Sequence, residues 1–312
     1  MVLCAPQVAG WQSPLAAGAY RTSGQAMRRT RAILVNTLPP LAFLIVFFFL
    51  PLVVLLLYSF WRMDAGVLRQ QFTLANYLDV FREPVYVPLL IKSVVIGIGA
   101  MLATLAIGYP LAYFIRFHGG RHRNALLMLV ILTMLSSYLV RVYAWKAILG
   151  NNGILNSFLM HVGLIEEPLT FLLYSNSAVL FAFIQIFTPF IVLPVYSAMA
   201  NIDDSLIEAS RDLGASPLTT FLRVTLPLSK PGVIGGGLLA FILIAGDFVT
   251  PTLVGGVDGI MIGKTIQSQF GFAYNWPLGS AVAFSMLALM AVVGGLWALV
   301  VNLLLPTAGG ER

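Results

Sequence analysis

The sequence predicts an all-α membrane protein with six membrane-spanning helices. Of its 312 residues, 59% are hydrophobic and 10% are charged, whereas soluble domains average about 25% charged residues. Six apolar stretches reach the roughly 20 residues that a helix needs to cross a hydrocarbon core about 30 Å thick. They lie near residues 38–60, 91–115, 126–149, 177–199, 232–254 and 279–305. Uninterrupted apolar runs of this length lack the short alternation of barrel strands, so we assign helices.

The first 30 residues predict a cytoplasmic tail, and residues 31–312 predict the membrane domain. The tail is rich in Gly, Ala and Ser, and four basic residues precede the first span, at Arg21, Arg28, Arg29 and Arg31. It contains no apolar core of the kind that defines a signal peptide.

Lysine and arginine are unevenly distributed between the two sides, which predicts the orientation. With the N-terminus inside, 11 of the 18 basic residues fall on the inner side. The short turn RFHGGRHRN between the second and third spans has no acidic residue. Segment Arg62–Pro88, the Glu166–Glu167 loop and segment Gly255–Leu278 are then outside. We therefore expect both termini in the cytoplasm. The same bias explains the net charge of +6, so nucleic acid is not an expected partner.

Small residues recur in two of the spans. The second span carries Gly97, Gly99, Ala103, Gly108 and Ala112, and the fifth carries Gly232, Gly236 and Ala240. Such spacing lets helices approach closely in lipid, so we favour tight packing over direct lining of a substrate path.

A polar segment between the fourth and fifth spans predicts two short helices around a bend. Asp203, Asp204 and Ser205 are candidate N-caps for a first helix ending at Leu213. Gly214 suits the left-handed conformation that ends a helix. Ser216 and Pro217 suit the start of the second helix. Pro227 and Pro231 are expected to stop that helix before the next span.

The residues Glu208–Pro227 resemble the EAA loop in membrane subunits of bacterial binding-protein-dependent ABC importers. The family pattern has Glu-Ala-Ala, three residues, Gly, nine residues, Ile, one residue and Leu-Pro. Here Glu208 and Ala209 are followed by Gly214, and Leu226 and Pro227 close the pattern; Ser210 and Val224 are mild departures. The resemblance implies that these residues, termed here the EAA-like segment, contact an ATPase subunit.

Three further stretches resemble the spermidine/putrescine branch of these permeases: Ser136–Asn156, Gly246–Gly256 and Met261–Ala281. The resemblance implies a type I ABC importer permease bundle in the bacterial inner membrane, importing a polyamine. It implies as partners a second permease subunit, two ATPase subunits and an extracytoplasmic solute-binding protein, besides membrane lipid. ATP and Mg²⁺ would bind the ATPases, with no cofactor in this chain. Another small solute, such as an amino-acid derivative or opine-like compound, is the alternative cargo.

Asp247 is the only acidic residue within a predicted span. An aspartate at the centre of a membrane helix costs about 2.5–3.5 kcal/mol, so it must face a partner, a water-filled cavity or a cation. Two interpretations stay open: Asp247 and Arg141 line the substrate path, or they form a structural ion pair.

The sequence fits an enzyme or a secondary carrier less well than it fits an ABC importer permease. Gly259–Thr265 nearly matches a P-loop, but three residues separate Gly259 from Gly263 where four are required. The loops show no nucleophile and base in a catalytic pattern, so the chain is not expected to be an enzyme. Many secondary carriers contain an inverted repeat with broken helices around an ion site, and this sequence shows no convincing repeat.

Overall fold

The computed structural model describes residues 14–64 and 66–305, with side-chain surroundings from residue 37 onward. Residues 1–13 of the predicted tail, including Cys4, and Arg312 lie outside this range. The chain divides into two compact units, the first ending at Leu57 and the second beginning at Tyr58. Helix α1 begins at Pro14 and ends at Ser59. The described residues of the first unit are the part of this helix up to Leu57. Its stretch Thr37–Ser59 is long and apolar enough to cross a membrane.

The described residues of the second unit form one hairpin, a series of helices and the loops between them. After β1 (Arg62–Asp64) and β2 (Val67–Arg69) its elements are, in order, α2 (Ala75–Arg82), α3 (Tyr86–Phe117), a 3-10 turn (Gly120–His122), α4 (Arg123–Leu135), α5 (Tyr138–Leu149), α6 (Ile154–His161), α7 (Asn176–Ala200), α8 (Asp204–Asp212), α9 (Pro217–Thr220), a π-helical turn (Phe221–Thr225), α10 (Leu226–Leu228), α11 (Lys230–Ala245), α12 (Val249–Val254), α13 (Ile262–Gly271) and α14 (Trp276–Leu304).

The described part of the chain has four helices that are long and apolar enough to span a membrane, or up to six if each of two bent pairs is one span. This count agrees with the six predicted spans. Two predicted spans are not continuous helices, however. The third bends by 90° between Leu135 and Tyr138, and the fifth ends at Ala245, leaving α12 as a separate short helix.

The core is formed where α3, α7 and α11 pack together. Phe183, Ile186 and Ile191 of α7 are fully buried. A Cβ at Gly232 of α11 would lie 2.6 Å from the carbonyl oxygen of Pro194, and one at Gly108 of α3 would lie 3.0 Å from Cγ2 of Ile191. The contact at Gly232 leaves no room for a Cβ, and the contact at Gly108 is tight, so the prediction that these glycines serve helix packing is confirmed for both. A Cβ at Gly99 would meet no atom within 4 Å, so the prediction does not hold there.

The loop after α1 contains a hairpin that the sequence analysis did not predict. β1 and β2 pair antiparallel, with Met63 opposite Leu68. The Asp64 carboxylate lies 3.4 Å from Nε of Arg62 and 3.2 Å from Nε of Arg69. The Arg69–Asp64 ion pair thus joins the two strands of the hairpin.

Candidate functional site

The EAA-like segment begins within helix α8 (Asp204–Asp212), and the N-terminus of this helix is capped as predicted. The Asp203 carboxylate accepts a hydrogen bond from the backbone N–H of Ser205 at 3.0 Å. This hydrogen bond lowers the pKa of Asp203 below its usual value. Asp204 follows in the first turn, where negative charge is favourable for the helix dipole.

The C-terminus of α8 ends at a glycine in the left-handed conformation, as predicted. Gly214 has φ +81°. Its N–H donates to the carbonyl of Arg211 at 2.8 Å, and the N–H of Ala215 donates to the carbonyl of Ser210 at 3.1 Å. This pair of bonds is the Schellman motif, which satisfies carbonyls left open at a helix end.

The surface of α8 is almost entirely exposed. Ile207 is the buried side chain of this fully described helix, while Glu208 and Ala209 are exposed. Leu213 is 89% exposed and Leu218 is 66% exposed at the bend that follows. The segment therefore presents a carboxylate and two large apolar side chains outward.

The second half begins as predicted but ends differently. Ser216 accepts a hydrogen bond from the N–H of Thr219 at 3.2 Å, and Pro217 follows this cap. The helix stops before the next span as predicted, but it ends at Leu228, between Pro227 and Pro231, and Pro227 itself lies inside α10. A π-helical turn, Phe221–Thr225, directly precedes α10. The wider turn accommodates the proline ring, which in a regular helix would clash with the carbonyl four residues earlier.

The helix bends instead at Ser229. Residues 217–228 and α11 meet at 63°. The Ser229 hydroxyl lies 2.8 Å from the hydroxyl of Tyr109, a buried contact with α3. The ring of Phe221 packs edge-on against Tyr109 and Tyr113, with centroids 5.9 and 5.5 Å apart. Helix α3 thus supports the bend from the bundle side.

Asp247 lies in a helix break rather than at a helix centre, which corrects the prediction. Its carboxylate accepts hydrogen bonds from the N–H groups of Val249 at 2.9 Å and Thr250 at 3.3 Å, so it caps α12. The Tyr138 hydroxyl donates a third bond to the same carboxylate, and it lies 2.6 Å from the hydroxyl of Thr250. These donors offset the cost of placing a carboxylate at this depth.

Arg141 does not form an ion pair with Asp247, so the prediction of a structural ion pair between these two residues is wrong. No ion pair between described residues joins them. The Arg141 Nη1 donates to the carbonyl of Ile186 at 3.3 Å, and the guanidinium lies 5.9 Å from the centroid of the Tyr138 ring. Tyr138 therefore contacts both residues.

The sequence analysis missed Tyr138, whose hydroxyl joins the two helix breaks. Tyr138 begins α5, directly after the break in the third span, and Asp247 forms the break in the fifth. The signal in the sequence was Ser136–Ser137, two residues that favour helix starts over helix interiors. The pairing with Asp247 was not visible, because 109 residues separate the partners.

The second unit is a bundle of bent apolar helices with an exposed helix-turn-helix between two of them. Residues 96–306 match the family described as binding-protein-dependent transport system inner membrane component. The chain belongs to this family. It is thus a multi-pass inner membrane protein and a transport subunit rather than an enzyme.

Individual relatives agree with this assignment. The chain is 37% identical over 251 residues to the spermidine/putrescine transport system permease protein PotB of Escherichia coli K12, covering 80% of this chain and 90% of PotB. It is 31% identical over 297 residues to the inner membrane ABC transporter permease protein YdcU of the same strain, covering 90% and 94%. A crystal structure of a bacterial ABC transporter that imports the polysaccharide alginate shares the fold, with TM-score 0.71, 16% identity and coverage of 92% and 99%.

Proposed function

We propose that this chain is a permease subunit of an ATP-driven importer that brings a polyamine of the spermidine/putrescine class into the cytoplasm. The observation that carries the proposal is the 37% identity to a spermidine/putrescine permease along 90% of that relative. An extracytoplasmic binding protein delivers the polyamine, and a second permease subunit completes the membrane pathway. Both termini and the EAA-like segment face the cytoplasm, in line with the Lys and Arg distribution.

The EAA-like segment is the docking site for one of two ATPase subunits, which carry the ATP and Mg²⁺. Glu208 and Ala209 are exposed on α8, and the large apolar side chains of Leu213 and Leu218 are exposed at the bend. Exposed apolar groups beside a carboxylate on a structured helix favour a protein partner over bulk water. Gly214, Leu226 and Pro227 give the segment its bend and its connection to α11.

Asp247 and Arg141 lie beside the substrate path. Oδ1 of Asp247 accepts one hydrogen bond, from Val249, which leaves a lone pair for an ammonium group. Ser136 and Ser137 are exposed in the break before Tyr138, and Gln185 is exposed on α7 beside Ile186, whose carbonyl Arg141 contacts. Exposed polar groups at this depth are unfavourable in lipid, so this face meets water or the second permease.

Co-expression with a candidate ATPase, second permease and binding protein tests the proposal. We expect the four proteins to purify as one complex, and proteoliposomes containing it to accumulate labelled spermidine when ATP and binding protein are supplied. A complex that imports a neutral or anionic solute and ignores polyamines would overturn the cargo. A chain that captures no ATPase would overturn the importer itself.

A further inference from the structure

Arg116, near the end of α3, contacts two other helices at once. Its Nε donates to the carbonyl of Met199 and its Nη2 to the carbonyl of Ile202, each at 3.3 Å. The same Nη2 lies 2.7 Å from the Asp204 carboxylate. The Arg116 side chain is only 12% exposed, whereas that of Asp204 is 68% exposed. A largely buried guanidinium therefore connects α3 to the end of α7 and the start of α8.

The three acceptors of Arg116 lie at positions where a positive charge is favourable. Met199 lies in the last turn of α7, where carbonyls lack the partner four residues onward, and its carbonyl also accepts a hydrogen bond from the N–H of Ile202 at 3.2 Å. The Ile202 carbonyl lies just beyond the helix. A positive charge there is favourable for the helix dipole, as is the negative charge of Asp204 at the start of α8. A planar guanidinium can reach several such acceptors in fixed directions, which an ammonium cannot.

Few other contacts hold α8 to the bundle. Ile207 is the one buried side chain in α8. Of the ion pairs between described residues, Arg116–Asp204 is the one that connects α8 to another helix. The Ser210 hydroxyl meets Thr220 at 3.0 Å, but this contact stays within the EAA-like segment. Arg116 is thus the main polar connection between α8 and the spanning helices.

We propose that Arg116 is the positioning residue through which movement of the EAA-like segment reaches α3 and α7. This inference rests on the proposed function, because it requires an ATPase to move α8. When the ATPase moves α8, the Arg116 contacts make α3 and α7 move with it. Without the guanidinium, α8 stays joined to α7 through residues 201–203 but loses its polar connection to α3, and ATP is hydrolysed without the matching change in the bundle.

Arg116→Gln and Arg116→Lys test this role, with Arg121→Gln as a matched control. Arg121 is an exposed arginine near the same end of α3, and it donates to its neighbour His122 at 2.9 Å. Asp204→Asn removes the negative charge that faces Arg116 and leaves the Asp203 cap in place. Each variant is purified in the complete complex, and the number of polyamine molecules imported per ATP hydrolysed is measured.

We expect Arg116→Gln to keep the ATPase bound and to lower transport per ATP by about tenfold, the size of effect given by losing a charge-assisted hydrogen bond. Arg116→Lys restores part of this ratio. Asp204→Asn lowers it by at most about fivefold, because this carboxylate is mostly exposed. Arg121→Gln leaves it within about twofold of the wild type, as expected for an exposed charge.

Two results would overturn the inference. A wild-type ratio in the assembled Arg116→Gln complex, whatever its yield, would reduce Arg116 to a stabilising role. If Arg121→Gln lowers the number of polyamine molecules imported per ATP as much as Arg116→Gln does, the effect comes from the change in net charge. If the wild-type chain binds no ATPase, the proposed function fails and the role of Arg116 falls with it, a failure visible before any variant is made.

Discussion

The contact between Tyr138 and Asp247 leads to a quantitative prediction about the two helix breaks. Tyr138→Phe removes the hydroxyl and keeps the ring, and Asp247→Asn removes the charge at nearly constant size. If the hydroxyl stabilises the breaks through this carboxylate, the effects of the two substitutions on stability are not additive. The double variant loses less free energy of unfolding than the sum of the single losses.

The magnitude follows from the hydrogen bonds at the carboxylate. Three donors point at Asp247: the hydroxyl of Tyr138 and the N–H groups of Val249 and Thr250. A hydrogen bond to a charged group contributes about 1.5–3 kcal/mol, so Tyr138→Phe costs an amount in that range. Asparagine has one acceptor oxygen, so its amide N–H₂ faces at least one donor and Asp247→Asn costs about as much or more. We expect a coupling energy of about 1–3 kcal/mol.

The assay is thermal unfolding of the purified complex, measured beside transport in proteoliposomes. Tyr143→Phe is the control, because Tyr143 lies on the same helix and is 54% exposed. Additive losses from Tyr138→Phe and Asp247→Asn would refute the contact. Arg141→Gln adds a second check: a direct ion pair predicts that it repairs Asp247→Asn, whereas the structure predicts no repair. If the Asp247→Asn complex is stable and transports polyamine at the wild-type rate, the path hypothesis also fails.

Three further predictions concern packing, ATPase docking and orientation. Gly232→Ala is expected to destabilise the bundle by about 1–3 kcal/mol through overpacking, because its Cβ would lie 2.6 Å from a backbone oxygen. In the control Gly235→Ala, on the same helix, the Cβ meets no atom within 4 Å, so this variant is expected to be neutral or stabilising. Equal melting temperatures for the two variants would contradict this prediction. Gly214 has φ +81°, so Gly214→Val is expected to lower the stability of the bend by about 1–2 kcal/mol. The variant is also expected to abolish the response of ATP hydrolysis to loaded binding protein. A normal response would show that the bend has no part in the mechanism. In a chain freed of its native cysteine, His122→Cys is expected to resist a membrane-impermeant thiol reagent in intact cells while Asp258→Cys reacts, and the reverse pattern would invert the proposed orientation.

The EAA-like segment could be predicted in detail because its signals are local. An N-cap, a left-handed glycine and a Ser-Pro start act within a few residues of the backbone that they shape. Asp203, Gly214 and Ser216 accordingly take their predicted roles. The end of the second helix could not be predicted in the same way. Pro227 predicts a stop, yet the π-helical turn before it and the contact of Tyr109 with Ser229 move the bend two residues onward.

The helix breaks could not be predicted because they depend on residues far apart in sequence. Hydropathy alone makes residues 232–254 one continuous span. The chain instead ends α11 at Ala245 and uses Asp247 to start α12, which is favourable because Tyr138 supplies a third donor. Arg116 was missed for a related reason. In the sequence it counts as one charge among several on the inner side, and its acceptors on α7 and α8 appear only in the folded chain.

Helix α11 links the two regions that the proposed function requires. It begins after the bend at Ser229 and ends one residue before the break at Gly246–Asp247, so it joins the EAA-like segment directly to the candidate substrate path. Its 16 residues correspond to a length of about 24 Å. Gly232, at one end of α11, packs closely against α7. Beyond the other end, Tyr138 bonds to Asp247. These contacts resist independent bending of the two ends of α11. A displacement of the EAA-like segment by an ATPase is therefore expected to reach Asp247 as movement of a rigid rod, so that loosening either end separates ATP hydrolysis from transport.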